Sequence, residues 1–289
     1  MKRAIRRLVS KLNGRNKYIF FIVLAMICIV ALSLGIYTQF FYQYSETDPL
    51  MMGINIGAQK TAEECAMLEA EFNNLFKNDI LINSENVRTD KIEPDKPLVY
   101  NGYNLVNEDE TYYSVNAQIP VINIDTETGK AINAEIRKDF LEKANSVMRQ
   151  TEQNIIYNVT YQAFVNKDVL SVVVKASLKE GNKPEKVSIK TYNYSIPDKR
   201  KVTLENLIDV KNRTKEDVQA LINNEIKTAY NNAKIIAAEY GSMYERDLKS
   251  DMYKIENTTN YFLTQDGYIY IIYCYGNNDY TNEMDIIIF

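Results

Sequence analysis

The spacing of apolar residues changes three times along the chain, and each change predicts a different kind of element. From Tyr18 to Tyr44 there is no charged residue, and Ile19 to Ile36 is almost continuously apolar. An α-helix rises about 1.5 Å per residue, so about 20 such residues cross the hydrocarbon core of a bilayer. The pattern predicts a transmembrane helix over residues 18-42, with Tyr18 at one interface and Tyr37 and Tyr42 at the other. The alternative is a cleavable signal peptide. Its apolar region would be shorter, and it would end in small residues rather than Thr38-Gln39-Phe40-Phe41-Tyr42. An uncleaved anchor is the expectation.

Beyond the span, residues 43-110 read as a linker and a stalk helix. Thr61 followed by Glu64 is a capping box, and Cys65, Leu68, Phe72, Leu75 and Phe76 recur at helical spacing. Residues 78-108 are polar, contain Pro94 and Pro97, and are expected to be extended without regular structure. From Thr111 the period becomes two. Tyr113, Val115, Ala117 and Ile119 predict a strand ended by Pro120. Ile132, Ile136, Phe140, Ala144 and Val147 predict a helix over about 130-150. Three strands follow, starting near Ile155, Leu170 and Lys186, as an antiparallel meander. Residues 111-196 thus form one α+β domain.

In residues 197-289, Val202 to Ile208 reads as a short strand running into a helical turn. Thr214 caps a long helix with Val218, Leu221, Ile222 and Ile226 on its apolar face. A hairpin runs from Asn260 to Tyr275 over Gln265-Asp266-Gly267, and Met284 to Phe289 is a last strand, expected to be paired inside the sheet. The fold class is therefore α+β, with antiparallel sheets packed with amphipathic helices behind a single N-terminal transmembrane helix. The second domain is expected to complete the sheet of the first.

Charge sharpens this division. The net charge of -4 averages two unlike parts. Residues 1-17 hold seven basic residues and no acid; the remaining 27 Lys and Arg face 38 acids, a net -11. The positive-inside rule puts the tail in the cytoplasm and residues 45-289 outside. The tail's basic residues also suit an anionic membrane surface, though topogenic charge accounts for them. An acidic body does not suit nucleic acid or anionic polymers such as teichoic acid; it suits cationic partners, or serves solubility.

Composition removes several chemistries. The absence of His excludes Ser-His-Asp and Cys-His catalysis and His-ligated zinc. Cys28 falls in the span; Cys65 and Cys274 occupy apolar patterns and are expected to be free thiols. Asp125-Thr-Glu-Thr-Gly129 offers oxygens at alternate positions, as calcium requires, but lacks the distal bidentate Glu, and a turn into a helix explains it. Asn107 to Glu110 reads as a solvated acidic loop. No metal, cofactor or catalytic residue is expected. Tyr268, Tyr270, Tyr273 and Tyr275 place rings on both faces of one strand. One face is core; the other is either a platform for sugars or a protein partner, or a further use of Tyr as a strand former.

Four stretches carry a family resemblance: Tyr113 to Asn123 (YSVNAQIPVIN), Ala131 to Lys138 (AINAEIRK), Lys201 to Ile208 (KVTLENLI) and Thr259 to Gly267 (TNYFLTQDG). Over residues 111-289 the chain resembles the exported domain pair of RsiV-type anti-sigma factors and PdaC-type deacetylases. That pair is the deacetylase PdaC N-terminal domain and the uncharacterised domain that accompanies it. The resemblance implies an extracytoplasmic, non-catalytic binding or sensing module for cell-wall glycan or a protein such as lysozyme. Other readings are a regulator acting through proteolysis of its anchor, or a carboxylate-dependent enzyme on glycans. The Gly-Gly-Ala-His turn of many relatives is replaced here by Glu180 to Glu185, and the Tyr-x-Ile-Ala-Pro-type segment by Tyr275 to Tyr280. A 17-residue tail is expected to be too short to fold around a sigma factor, so an anti-sigma role is not carried over, and none of these residues reads as a deacetylase catalytic domain.

Overall fold

Local rules set the first described helix, α1 (Ala62–Leu75). The Thr61 hydroxyl accepts from the Glu64 amide at 3.2 Å, and the Thr61 amide donates back to the Glu64 carboxylate at 2.6 Å. The computed structural model describes residues 61–77, 87, 89–151, 154–240, 243–277 and 281–289. The tail, the span over residues 18-42 and the linker to residue 60 lie outside these. Among the described residues no helix is long and apolar enough to cross a membrane.

The first sheet has six strands in sequence order: β1 (Val99–Asp109), β2 (Tyr113–Ile122), β3 (Ile155–Asn166), β4 (Val169–Glu180), β5 (Lys186–Ser195) and the two-residue β6 (Arg200–Lys201). Two corrections to the sequence reading follow. Residues 99–109 are a strand, not an irregular connection, and Asn107, Glu108 and Asp109 end that strand. The sheet is mixed rather than antiparallel, because β3 runs parallel to β2. A helical crossover of sufficient length separates them, which is what parallel neighbours require. Pro120 does not end its strand. It lies opposite Asn101, beside a register shift, and the β2–β3 pairing stops at Ala117, so the amide that proline lacks is not needed on that side.

The crossover comprises α2 (Glu127–Ile136), a five-residue π-helical turn (Arg137–Leu141) and α3 (Glu142–Val147). Ile132, Ile136, Phe140, Ala144 and Val147 are buried against Val115, Ala117, Tyr157, Val159, Val172 and Val174. Asn133 fixes the register of this layer. Its side chain accepts from the Ile122 amide and donates to the Ile122 carbonyl, both at 2.8 Å.

The second half does not complete that sheet; beyond β6 it builds its own. β7 (Tyr261–Leu263), β8 (Ile269–Cys274) and β9 (Met284–Ile288) form an antiparallel sheet with β8 in the centre. Gly267 in the β7–β8 turn has φ +88, the positive region that such a hairpin turn needs and a glycine supplies. β9 is an edge strand, paired on one side only, and α1 and the long helix lie along it. The segment read as a strand into a turn is the helix α4 (Leu204–Val210), started by a Thr203–Asn206 capping box. The long helix α5 (Lys215–Tyr240) follows, with the Asp217 amide on the Thr214 hydroxyl at 3.1 Å.

A polar seam joins the sheets. Ser171 on β4 and Asn193 on β5 are cross-strand neighbours. The Ser171 hydroxyl donates to Asn193 Oδ1 at 2.7 Å and accepts from the Leu263 amide at 3.1 Å, while Asn193 Nδ2 donates to the Tyr261 carbonyl at 2.7 Å. These side chains satisfy the backbone of β7, which would otherwise be a buried unpaired edge. Beside the seam, Val173, Val187 and Ile189 share a core with Phe262, Tyr270, Ile272 and the α1 residues Leu68 and Phe72. The other face of the second sheet (Ile269, Ile271, Tyr273, Tyr275, Ile287) is buried under α4 and α5.

The outer edge of β5 is closed in the same way. Asn277 accepts from the Ile189 amide at 3.1 Å and donates to the Ile189 carbonyl at 3.2 Å, and the Val187 amide donates to the Thr281 carbonyl at 3.0 Å. Gly276 makes this approach possible, because a Cβ there would run into the carbonyls of Val187 and Thr281. Gly276→Ala is therefore expected to destabilise the protein by about 1–3 kcal/mol, the usual cost of overpacking. Urea unfolding with an unchanged midpoint would show that this contact does not hold the halves together.

Candidate functional site

A groove runs along β5 on the side of the sheet that carries the crossover helix. Two contiguous hollows, about 620 and 320 Å³, share Asp139, Lys190, Thr259 and Asn260. The π-helical turn supplies Asp139 to one wall. Such turns interrupt the regular ladder and are frequent where a side chain must be placed for function. Lys143 follows on α3. Tyr157, Ala176 and Ser188 belong to the strands beneath, and residues 252–261 form the far wall.

The charges of the groove are unevenly matched. Lys201 pairs with Glu135 at 2.6 Å. The Tyr192 hydroxyl lies 3.5 Å from the Asp139 carboxylate, and burial, with Asp139 and Glu135 adding to it, pushes the Tyr192 phenol above its ordinary range. Among the described residues no ion pair involves Lys143 or Lys190. Lys143 is half-buried and Lys190 exposed.

Behind the far wall lies a network that holds it in place. The Tyr273 hydroxyl is 3.0 Å from Thr258 Oγ1, and the Tyr253 and Tyr275 hydroxyls are 3.0 Å apart. Gln219 on α5 donates to the Tyr253 carbonyl at 2.9 Å and accepts from the Ile255 amide at 3.1 Å. Tyr275 also donates to Asp285. Arg246, itself buried, binds the Asp285 carboxylate through Nε at 3.1 Å and a terminal nitrogen at 2.9 Å, and Glu283 at 3.0 Å. The Tyr244 and Tyr275 rings stack at 4.0 Å, and the guanidinium sits 5.0 Å from the Tyr275 ring centre.

These positions change the reading of the tyrosines. Their rings do lie on both faces of one strand, but both faces are core. Tyr270 packs between the sheets, Tyr273 and Tyr275 face α4 and α5, and Tyr268 is half-buried at the edge of the inter-sheet core. They form no open platform, because each side of the short second sheet is covered. Tyr273 lines the larger hollow, and Tyr275 supports the groove wall from behind it.

Other candidates have local explanations. The Thr126 hydroxyl caps α2 by accepting from the Gly129 amide at 3.1 Å, and Lys130 pairs with Asp125 at 3.0 Å. Among the described residues no group of three or more acidic or Cys side chains is placed to hold a metal. Cys274 is a buried free thiol, not bonded to Cys65. Its Sγ lies 2.9 Å from the Val187 carbonyl, and burial pushes its pKa up to about 11. It stays protonated and unreactive.

No protein-family profile matches the chain, and no curated protein does. Among solved structures, a DUF3298 family protein from Pseudomonas aeruginosa aligns with 12% identity over 63% of this chain and 83% of its own, with a TM-score of 0.37. A member of the same family from Bacteroides fragilis aligns with 14% identity over 61% and 79%, with a TM-score of 0.33.

Proposed function

We propose that the protein is a membrane-anchored, extracytoplasmic binding module without catalytic activity, which takes a cell-wall glycan in the groove along β5. The observation that carries this reading is the groove itself. It is long, open to solvent, and lined by hydroxyl, amide and ammonium groups fixed on a strand, a helix and a braced loop. Preorganised polar groups of this kind suit a hydroxyl-rich chain, which would otherwise lose more affinity to ordering on both sides. The uncharged stretch at residues 18-42 supplies the anchor, and the absence of His removes the most frequent general base.

The test uses the full chain in a neutral detergent, titrated with isolated glycan strands. Thr259 is exposed and lines both hollows. Thr259→Trp should fill the groove, abolish glycan binding and leave the unfolding midpoint unchanged. Glycan binding that survives Thr259→Trp, or no binding by the parent protein, would overturn the proposal. The net -11 outside the membrane favours a second reading, a cationic protein such as lysozyme. Salt-sensitive lysozyme binding indifferent to Thr259→Trp would select it.

A further inference from the structure

Resting on the groove as the binding site, we infer that its ligand is an acidic glycan, a sugar chain bearing carboxylates, whose carboxylates are read by Lys143 on α3 and Lys190 on β5. Three observations lead there.

The first is the local charge. The chain outside the predicted span is strongly acidic, yet the larger hollow is lined by Lys143, Lys186 and Lys190 against Asp139 and Glu180. In the adjoining hollow Lys201 is already engaged by Glu135. Lys143 and Lys190 make no ion pair among the described residues, and of the acids that line the hollow with them, Asp139 stands beside Tyr192. Lys143 is moreover half-buried, so a carboxylate that reached it would meet it partly screened from water, where a charged contact is stronger.

The second is spacing. Lys190 stands on β5 and Lys143 on α3, so the two cations are placed on different elements of the groove rather than gathered at a point. That arrangement fits repeated, separated anionic groups better than a single compact anion.

The third excludes a peptide. An acidic peptide beside a strand would be expected to add to the sheet through its backbone. On β5 much of that edge is taken. Val187 donates to the Thr281 carbonyl, Ile189 is bonded in both directions by Asn277, and the Asn193 carbonyl accepts from Val202. A ligand here is therefore read mainly by side chains, which suits hydroxyls and carboxylates on a sugar chain.

The experiment compares an oligogalacturonate with its fully methyl-esterified form, the same sugar with its charge removed, by calorimetric titration of the full chain in neutral detergent. The acid is expected to bind at least about tenfold more tightly than the ester, the worth of one charged hydrogen bond. Lys143→Gln and Lys190→Gln should each weaken the acid about tenfold and leave the ester unchanged. Lys143→Arg should retain binding of the acid. Equal affinity for acid and ester, or acid binding untouched in the Lys143→Gln/Lys190→Gln double variant, would overturn the acidic class. If Thr259→Trp then still abolished binding, the groove itself would stand. Binding of neither form, or binding of both that survives Thr259→Trp, would remove the groove reading and this inference together.

Discussion

Arg246→Ala is expected to lower the unfolding free energy by about 3–5 kcal/mol, the cost of removing one partner from a buried charge cluster. Arg246 is 5% exposed, and Glu283 and Asp285 are 20% and 11% exposed at their side chains. Without the guanidinium two carboxylates remain in a desolvated space. A third, Glu69 on α1, is held above its usual range by burial, with Asp285 and Glu283 adding to the effect and Lys175 opposing it. The loss should therefore exceed that of a surface ion pair, about 0–1 kcal/mol. Against a typical total of about 5–15 kcal/mol it is a large fraction. Urea unfolding measures it directly. A second variant separates charge from packing: Arg246→Met combined with Asp285→Leu should recover part of the loss, since an apolar replacement leaves fewer carboxylates stranded. A single variant with parental stability would mean that the cluster is hydrated and does not brace the wall.

Most of the elements were legible because their apolar residues keep a period. Val115, Ala117 and Ile119 alternate, Ile132, Ile136 and Phe140 recur on a helix face, and Asp266-Gly267 marks a hairpin. β1 was not legible. Its register shifts between Asn101 and Tyr103, and five of its eleven residues are Asn, Glu or Asp, which have little intrinsic tendency to form strands. Alternation in β8 revealed that the tyrosines face two ways, but not that α4, α5 and the inter-sheet core cover both. Burial of that kind is decided by contacts between distant segments. The groove was illegible for the same reason. Its lining comes from residues as far apart as Ile132 and Asn277, and the π-helical turn that places Asp139 has no sequence signal of its own. A polar residue such as Asn193 or Asn277 reads as a surface residue until the strand whose edge it closes is known.

Raising the pH above about 10 is expected to unfold the protein steeply, because its buried phenols cannot ionise in place. Burial pushes the pKa values of Tyr157, Tyr192, Tyr273 and Tyr275 well above the ordinary value, with Asp139 adding to the effect at the first two and Asp285 at the last two. In the unfolded chain these phenols lose their protons near pH 10. Above that pH the unfolded state therefore holds fewer protons than the folded state, and stability falls as pH rises. Below it both states keep these protons, and the contribution is fully present. Four such groups give a slope of about 5–6 kcal/mol per pH unit once the unfolded phenols are ionised. A fold of ordinary stability is then lost within about two pH units. The absence of Trp makes the measurement simple, since near-ultraviolet absorbance reports phenolate without indole interference. Exposed tyrosines should titrate first with unchanged circular dichroism, and the buried group should follow in one steep step together with loss of the fold. A single smooth titration of all tyrosines near pH 10, with the circular dichroism intact, would mean that the rings behind the groove wall are open to water.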